Sequence, residues 1–169
     1  MISKKIILVG DFATGKTSLI RRFVDNQFSD TYLSTIGVKI SKKLVTLPSD
    51  VEVQCMIWDI EGGTESKPVN STYFTGAHGA ILVADVTREE TIAHLLDYMS
   101  ILDEKHTDIP VVIALNKSDK LSKTLLEPIV FQATQTYEKR VVKIFSTSAK
   151  TGEGVEEMFL TLAKAIVEG

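Results

Sequence analysis

The feature that most constrains the fold is a glycine-rich octapeptide, Gly10-Asp11-Phe12-Ala13-Thr14-Gly15-Lys16-Thr17, set directly after the apolar run Lys5-Ile6-Ile7-Leu8-Val9. A short apolar run of that kind is the pattern of a parallel strand buried on both faces. Leu19, Ile20, Phe23 and Val24 follow at helical spacing, so the octapeptide joins a strand to a helix. That succession is the opening of a βαβ crossover, and it commits the chain to a sheet with helices packed against it.

The remaining pattern agrees. Residues 38–47 and 51–60 are β-rich runs separated by Pro48-Ser49-Asp50, a turn signal, and read as a hairpin. Residues 80–84, 109–115 and 141–145 read as three further strands. Between them, residues 91–106 carry Ile92, Leu95, Leu96, Met99 and Leu102 on one helical face. Residues 125–137 and 155–167 also read as helices, with Pro128 tolerable only in a first turn. The expectation is an α/β fold: a doubly wound, mostly parallel six-stranded sheet with one antiparallel edge strand and helices on both faces, in one domain spanning 1–169. In such sheets ligands sit beyond the carboxyl ends of the strands.

The octapeptide matches G-x-x-x-x-G-K-[ST], a P-loop. Polyphosphate needs a ring of inward-pointing backbone N–H groups, and glycines permit the tight loop and close approach. The following helix directs its positive dipole end at the anion. Gly10, Ala13, Thr14, Gly15, Lys16, Thr17 and Ser18 form the expected phosphate-side set, Lys16 reaching the β- and γ-phosphates and Thr17 a Mg²⁺ ion. The loop by itself does not separate GTP from ATP.

Asn116-Lys117-Ser118-Asp119 follows the strand ending at Leu115. A carboxylate at Asp119 can accept from the ring N–H and the exocyclic amine of guanine together, a pair adenine cannot offer. Ser148-Ala149-Lys150, after the last strand, supplies another loop at the same sheet edge, with a backbone N–H for the guanine oxygen. Three loops at three strand ends point to one nucleotide site.

With these residues in place, the chain resembles the Ras superfamily of small GTPases, and within it the Rab branch, over nearly its whole length. Residues 31–38 (Thr31, Tyr32, Leu33, Ser34, Thr35, Ile36, Gly37, Val38) resemble the family's first switch, which implies that Thr35 meets both Mg²⁺ and the γ-phosphate. Trp58-Asp59-Ile60-Glu61-Gly62 resembles its W-D-x-x-G segment, which implies that Asp59 holds the metal through water and the Gly62 N–H senses the γ-phosphate. Phe28 matches an aromatic that packs against the base. Tyr73 to Gly79 and Asp85-Val86-Thr87 are Rab-like; His78 then reads as a packing residue, and His94 and His106 as helix-surface residues. Ile40, Trp58 and Tyr73 fall where Rab-like proteins present a partner patch, read by effectors and regulators through the two switch segments.

Three departures bear on catalysis. Phe12 and Ala13 occupy loop positions that are usually small, Gly63 replaces the glutamine that positions the attacking water, and Glu61 replaces an alanine beside the γ-phosphate. That glutamine's role and the arginine finger belong to the general account of phosphoryl transfer in this family. Thr35, Glu61 and Gly63 are the positions where catalysis is decided. Glycine cannot orient water, and Phe12 obstructs a partner's arginine, so slow hydrolysis is expected, with Glu61 either repelling the γ-phosphate or acting as a substitute base. A GTP/GDP switch and a non-cycling pseudo-GTPase scaffold both remain open; a P-loop kinase is disfavoured by Asp119.

Composition excludes other classes. The net charge of −3 offers no general attraction for nucleic acid. No apolar stretch approaches the ~20 residues of a membrane span. The start lacks a signal-peptide core, the end lacks a prenylatable cysteine and Ile2 rules out myristoylation. A cytoplasmic monomer without an anchor of its own is expected. Cys55, the one cysteine, reads as a small buried hydrophobe.

Overall fold

The structure is a computed structural model that describes residues 1–30, 34–106 and 108–169. Its elements run β1 (Ile2–Gly10), α1 (Lys16–Asp25), β2 (Val38–Thr46), β3 (Glu52–Ile60), β4 (Gly79–Asp85), α2 (Glu89–Ala93), α3 (Leu95–Lys105), β5 (Val111–Asn116), α4 (Lys123–Tyr137), β6 (Lys143–Ser146) and α5 (Val155–Glu168). The strands form one six-stranded sheet in the order β2-β3-β1-β4-β5-β6. Only the β2–β3 pairing is antiparallel; β1 pairs in parallel with β3 and β4, β4 with β5, and β5 with β6. This is the expected architecture, hairpin edge included.

The period-2 alternation of the buried strands divides the core between the two faces. Ile6, Leu8, Val53, Ile57, Ile81, Val83 and Val112 face α1 and α5, where Phe23 stacks on Phe159 with centroids 4.1 Å apart. Ile7, Val9, Leu82, Ile113 and Leu115 face the opposite layer, against Leu95, Met99 and Leu102 of α3 and Tyr137 of α4. Each aliphatic side chain fully withdrawn from water contributes about 1.5–3 kcal/mol, so both faces hold the strands in register. Cys55 lies in the α1/α5 core, and burial raises its thiol to about 11, which keeps it protonated.

Two helices differ from expectation. Residues 91–106 do not form one helix: the segment divides at His94, between α2 and α3. The N–H of His94 still donates to Glu90 O at 3.0 Å and that of Tyr98 to His94 O at 3.1 Å, but ψ of His94 is −11°, and its ring engages Asp11, described below. Leu96, the residue after Leu95 in α3, does not share the apolar face of Leu95, Met99 and Leu102 and is exposed. Helix α4 begins two residues earlier than expected, capped by Ser122, whose Oγ accepts from Leu125 N–H. Pro128 therefore stands in the second turn, beyond the first-turn limit expected of it. Among the described residues, no helix is long and apolar enough to cross a membrane.

Candidate nucleotide site

The carboxyl ends of β1, β3 and β5 open onto one cleft of about 230 Å³. The cleft is lined by Ala13, Gly15, Lys16, Thr17 and Ser18 below, Thr35, Asp59 and Gly62 at one end, and Phe28, Asn116, Lys117, Asp119, Ala149 and Lys150 at the other. Four lining residues were not expected from the sequence: Ser29, Asp30, Ile60 and Lys120. Gly10, Thr14 and Ser148, also expected at the nucleotide, stand behind the residues that line the cleft. Thr14 is buried, donating its hydroxyl to Asp11 O, and Ser148 acts one layer back.

The phosphate loop is held by its neighbours before any ligand is considered. Gly15 has φ of +96°, and a Cβ there would come within 2.4 Å of Asn116 Nδ2, so only glycine fits. Asn116 donates from Nδ2 to Thr14 O at 2.9 Å and accepts at Oδ1 from Thr147, tying three loops together. Lys117 donates to Ala13 O and pairs with buried Asp85, both at 2.9 Å. Burial alone would raise the Asp85 carboxyl, yet hydrogen bonds from Thr87 and Lys117 bring it below its ordinary value. Ala13 adopts a φ of +65°, a left-handed backbone that costs a residue with a Cβ roughly 1–2 kcal/mol.

Lys16 is buried, its Nζ donating to Asp11 O at 3.0 Å. Burial lowers the ammonium to about 8, against the opposing pull of Asp59 and Asp11 and with Arg88 adding to the depression. A desolvated cation at a helix start is poised to gain from a phosphate.

At the metal end, the Thr17 and Thr35 hydroxyls both donate to Asp59 Oδ2, at 2.5 and 2.8 Å, and lie 2.8 Å from each other. Asp59 Oδ1 is buried with no hydrogen-bond partner among the described residues. Two hydroxyls and a carboxylate with an unsatisfied oxygen suit a hard, oxygen-seeking cation such as Mg²⁺. At the base end, Asp119 Oδ1 accepts from Ser148 Oγ at 2.8 Å. Arg22 of α1 donates to Ala149 O and Lys150 O, fixing the third loop.

Of the residues tied to catalysis, only Thr35 lines the cleft. Glu61 and Gly63 do not line the cleft. The Glu61 carboxylate accepts from Gly37 N–H at 3.1 Å and from Lys67 Nζ at 3.1–3.2 Å, and these bonds hold its carboxyl below the ordinary value. Gly63 is stitched to the phosphate loop, its carbonyl accepting from Phe12 N–H and its N–H donating to Gly10 O. A Cβ on Gly63 would stand 2.5 Å from Tyr98 Oη. Phe12 lines the cleft and is 43% exposed.

A constellation absent from the sequence reading lies behind Asp11. Tyr98 Oη donates to Asp11 Oδ1, and His94 Nδ1 lies 2.6 Å from Asp11 Oδ2. The bond to Asp11 raises His94 above its ordinary value, and burial with Asp11 raises the Tyr98 phenol. His94 is therefore a partner of the phosphate loop as well as a partly exposed residue of the helix surface. His78 differs as well: it is exposed, and its Nδ1 accepts from Lys5 N–H at 2.9 Å.

Of the expected partner patch, Ile40 and Trp58 are direct cross-strand neighbours, and the Trp58 and Tyr73 rings lie 6.4 Å apart. Ile40 is exposed, whereas Trp58 is partly covered by the core and has Lys5 Nζ 3.5 Å over its ring. Thr31, Tyr32 and Leu33 of the first-switch segment lie outside the described residues.

Comparison with known proteins agrees with this geometry. A family model described as "Ras family" matches residues 5–168. The "Ras-related protein Rab-1" of Theileria annulata and that of Theileria parva are each 35% identical over 164 residues, which cover 96% of this chain and 73% of each relative.

Proposed function

The chain belongs to the Ras family of small GTPases, close to Rab, and from that premise we propose that it is a guanine-nucleotide switch with slow intrinsic hydrolysis. The nucleotide is GTP or GDP, bound with Mg²⁺ over a G domain spanning residues 1–169. The observation that carries this reading is the shared cleft, with Lys16, Thr17, Thr35 and Asp59 at one end and Asp119 at the other.

Thr17, Thr35 and Asp59 would hold the ion, which supplies charge neutralisation at the β- and γ-phosphates. Lys16 would place its ammonium against the same oxygens, and the N–H groups of the loop from Ala13 to Gly15 and of the start of α1 would face the polyphosphate. Phe28, Ala149 and Lys150 enclose the base while Asp119, steadied by Ser148, accepts from guanine. Effector and regulator proteins would read the two switch segments, with Ile40, Trp58 and Tyr73 as the apolar part of that surface. The protein would act as a cytoplasmic monomer, without affinity for nucleic acid.

Slow turnover rests on positioning. Phosphoryl transfer to water asks the protein mainly to hold the water in line. Gly63 has no side chain for this, and the Glu61 carboxylate is directed toward Gly37 and Lys67. That orientation engages the carboxylate with the chain itself, which favours slow turnover over a role for Glu61 as the base. The same features favour a second reading, a non-cycling scaffold that holds one nucleotide.

The test is nucleotide extracted from the purified protein and identified by chromatography, followed by single-turnover GTP hydrolysis with and without cell extract. Bound GDP or GTP with a slow rate that extract accelerates is the expected result for a switch; no acceleration supports the scaffold. A rate equal to that of ordinary family members, abolished in Glu61→Ala, would make Glu61 the catalyst and defeat the proposal.

A further inference from the structure

The β2–β3 ladder does not stop where the strands do. Val38 pairs with Ile60, so Gly37 and Glu61 are the next residues to face each other. In an antiparallel ladder a hydrogen-bonded pair exchanges two backbone bonds. Here the first is present: Glu61 N–H donates to Gly37 O at 2.8 Å. The second is made by a side chain, with Gly37 N–H donating to Glu61 Oε2 at 3.1 Å. Gly37 has φ of +71°, a left-handed turn at the strand entrance. The carboxylate is held from its other side by Lys67 Nζ, and both Glu61 bonds join the first switch segment to the second.

We propose that Glu61 is a positioning residue that clamps the two switch segments together through the Gly37 N–H, so that their closed arrangement does not depend on the γ-phosphate. This deepens the switch reading and rests on it: discrimination between GTP and GDP by partners is blunted, because part of the closed surface persists in the diphosphate form. An alanine, the residue expected at this position from the family resemblance, has no acceptor with which to close the second bond. The adjoining contacts act in the same direction, since Gly63 is bonded to both Gly10 and Phe12. The Lys67 contact is an exposed pair and adds little by itself; the acceptor for Gly37 is what matters.

The experiment is amide hydrogen exchange followed by NMR on the whole chain, loaded with GDP and with a non-hydrolysable GTP analogue, comparing wild type, Glu61→Ala, Glu61→Gln and Lys67→Met. With GDP bound, the Gly37 amide should exchange about tenfold or more slower in wild type than in Glu61→Ala, the scale of a lost charge-assisted bond. Glu61→Gln, which keeps an acceptor oxygen, should recover part of that protection, and Lys67→Met should retain most of it. With the GTP analogue bound, wild type and Glu61→Ala should differ much less. Amides of β1 and β5 serve as internal controls, so that a merely unfolded variant is recognised, and Glu61→Gln then decides. Equal Gly37 exchange in GDP-loaded wild type and Glu61→Ala overturns the clamp, as does protection seen only with the triphosphate analogue. If the protein takes up neither nucleotide, the proposed function falls, and the wild-type to Glu61→Ala comparison on the same samples still decides the clamp.

Discussion

The two ends of the cleft are built by different means. At the base end, Asp119, Asn116 and the Ala149–Lys150 carbonyls accept bonds from Ser148, Thr147 and Arg22, Lys117 donates to Asp85, and their residue types match the family pattern. At the γ-phosphate end, the segment from Glu61 to Gly63 departs from that pattern and is bonded to the chain itself, at Gly37, Gly10 and Phe12. The base pocket is prepared to receive a ligand; the Glu61–Gly63 segment is already engaged. On the proposed function, binding and hydrolysis should therefore depend on largely separable residues, and substitutions should divide them.

The largest effect should come from the phosphate loop. Lys16→Ala removes the buried cation and should weaken GDP and GTP alike by about 3 kcal/mol, roughly two orders of magnitude in Kd by calorimetry. Unchanged GDP affinity would erase the contrast between the two ends. At the opposite end of the same cleft, Asp119→Asn should lose preference for guanine and gain xanthine, which offers the complementary pattern.

A smaller effect is expected where the family's glutamine is missing. Gly63→Gln alone should raise single-turnover hydrolysis little, and should destabilise the fold by about 1–3 kcal/mol because the new Cβ meets the Tyr98 hydroxyl. Adding Phe12→Gly and Glu61→Ala should help more than any single change, and Tyr98→Leu should relieve the lost stability. A large rate gain from Gly63→Gln alone, at unchanged melting temperature, would show that the engaged end is freer than its contacts indicate.

Much of this was legible in the sequence because it is dictated locally. The phosphate loop needs its glycines whatever surrounds it, and the strands announce themselves as apolar runs between turn signals. The Asp11–His94–Tyr98 group was not legible, since 83 and 87 residues separate the partners and only the docking of α3 on β1 unites them. The division of the 91–106 segment at His94 was not legible either, because helical periodicity continues across it. The direction of Glu61 was equally hidden, because a carboxylate's choice between phosphate and a backbone N–H is a tertiary matter.

The smallest predicted effect tests that hidden group. His94 has a folded-state value raised above its ordinary one by Asp11, so its contribution to stability is full below the unfolded value and fades as pH rises through the folded one. His94→Gln should therefore lower the melting temperature relative to wild type at pH 5.5 and by less at pH 8.5. The ring is substantially exposed, so the difference should be a fraction of a kcal/mol. A gap that widens with pH would remove Asp11 as the cause.

Trp58 is the only tryptophan in the chain, and it stands on β3, the strand that leads directly into Asp59 and Glu61. One side of its indole is covered by the Lys5 ammonium, and Ile40 and Tyr73 adjoin it. The molecule thus carries its single indole beside Ile40 of β2 and Tyr73. On the proposed function its emission should report nucleotide exchange and partner docking, readable in stopped flow with no label attached and no competing indole elsewhere in the chain.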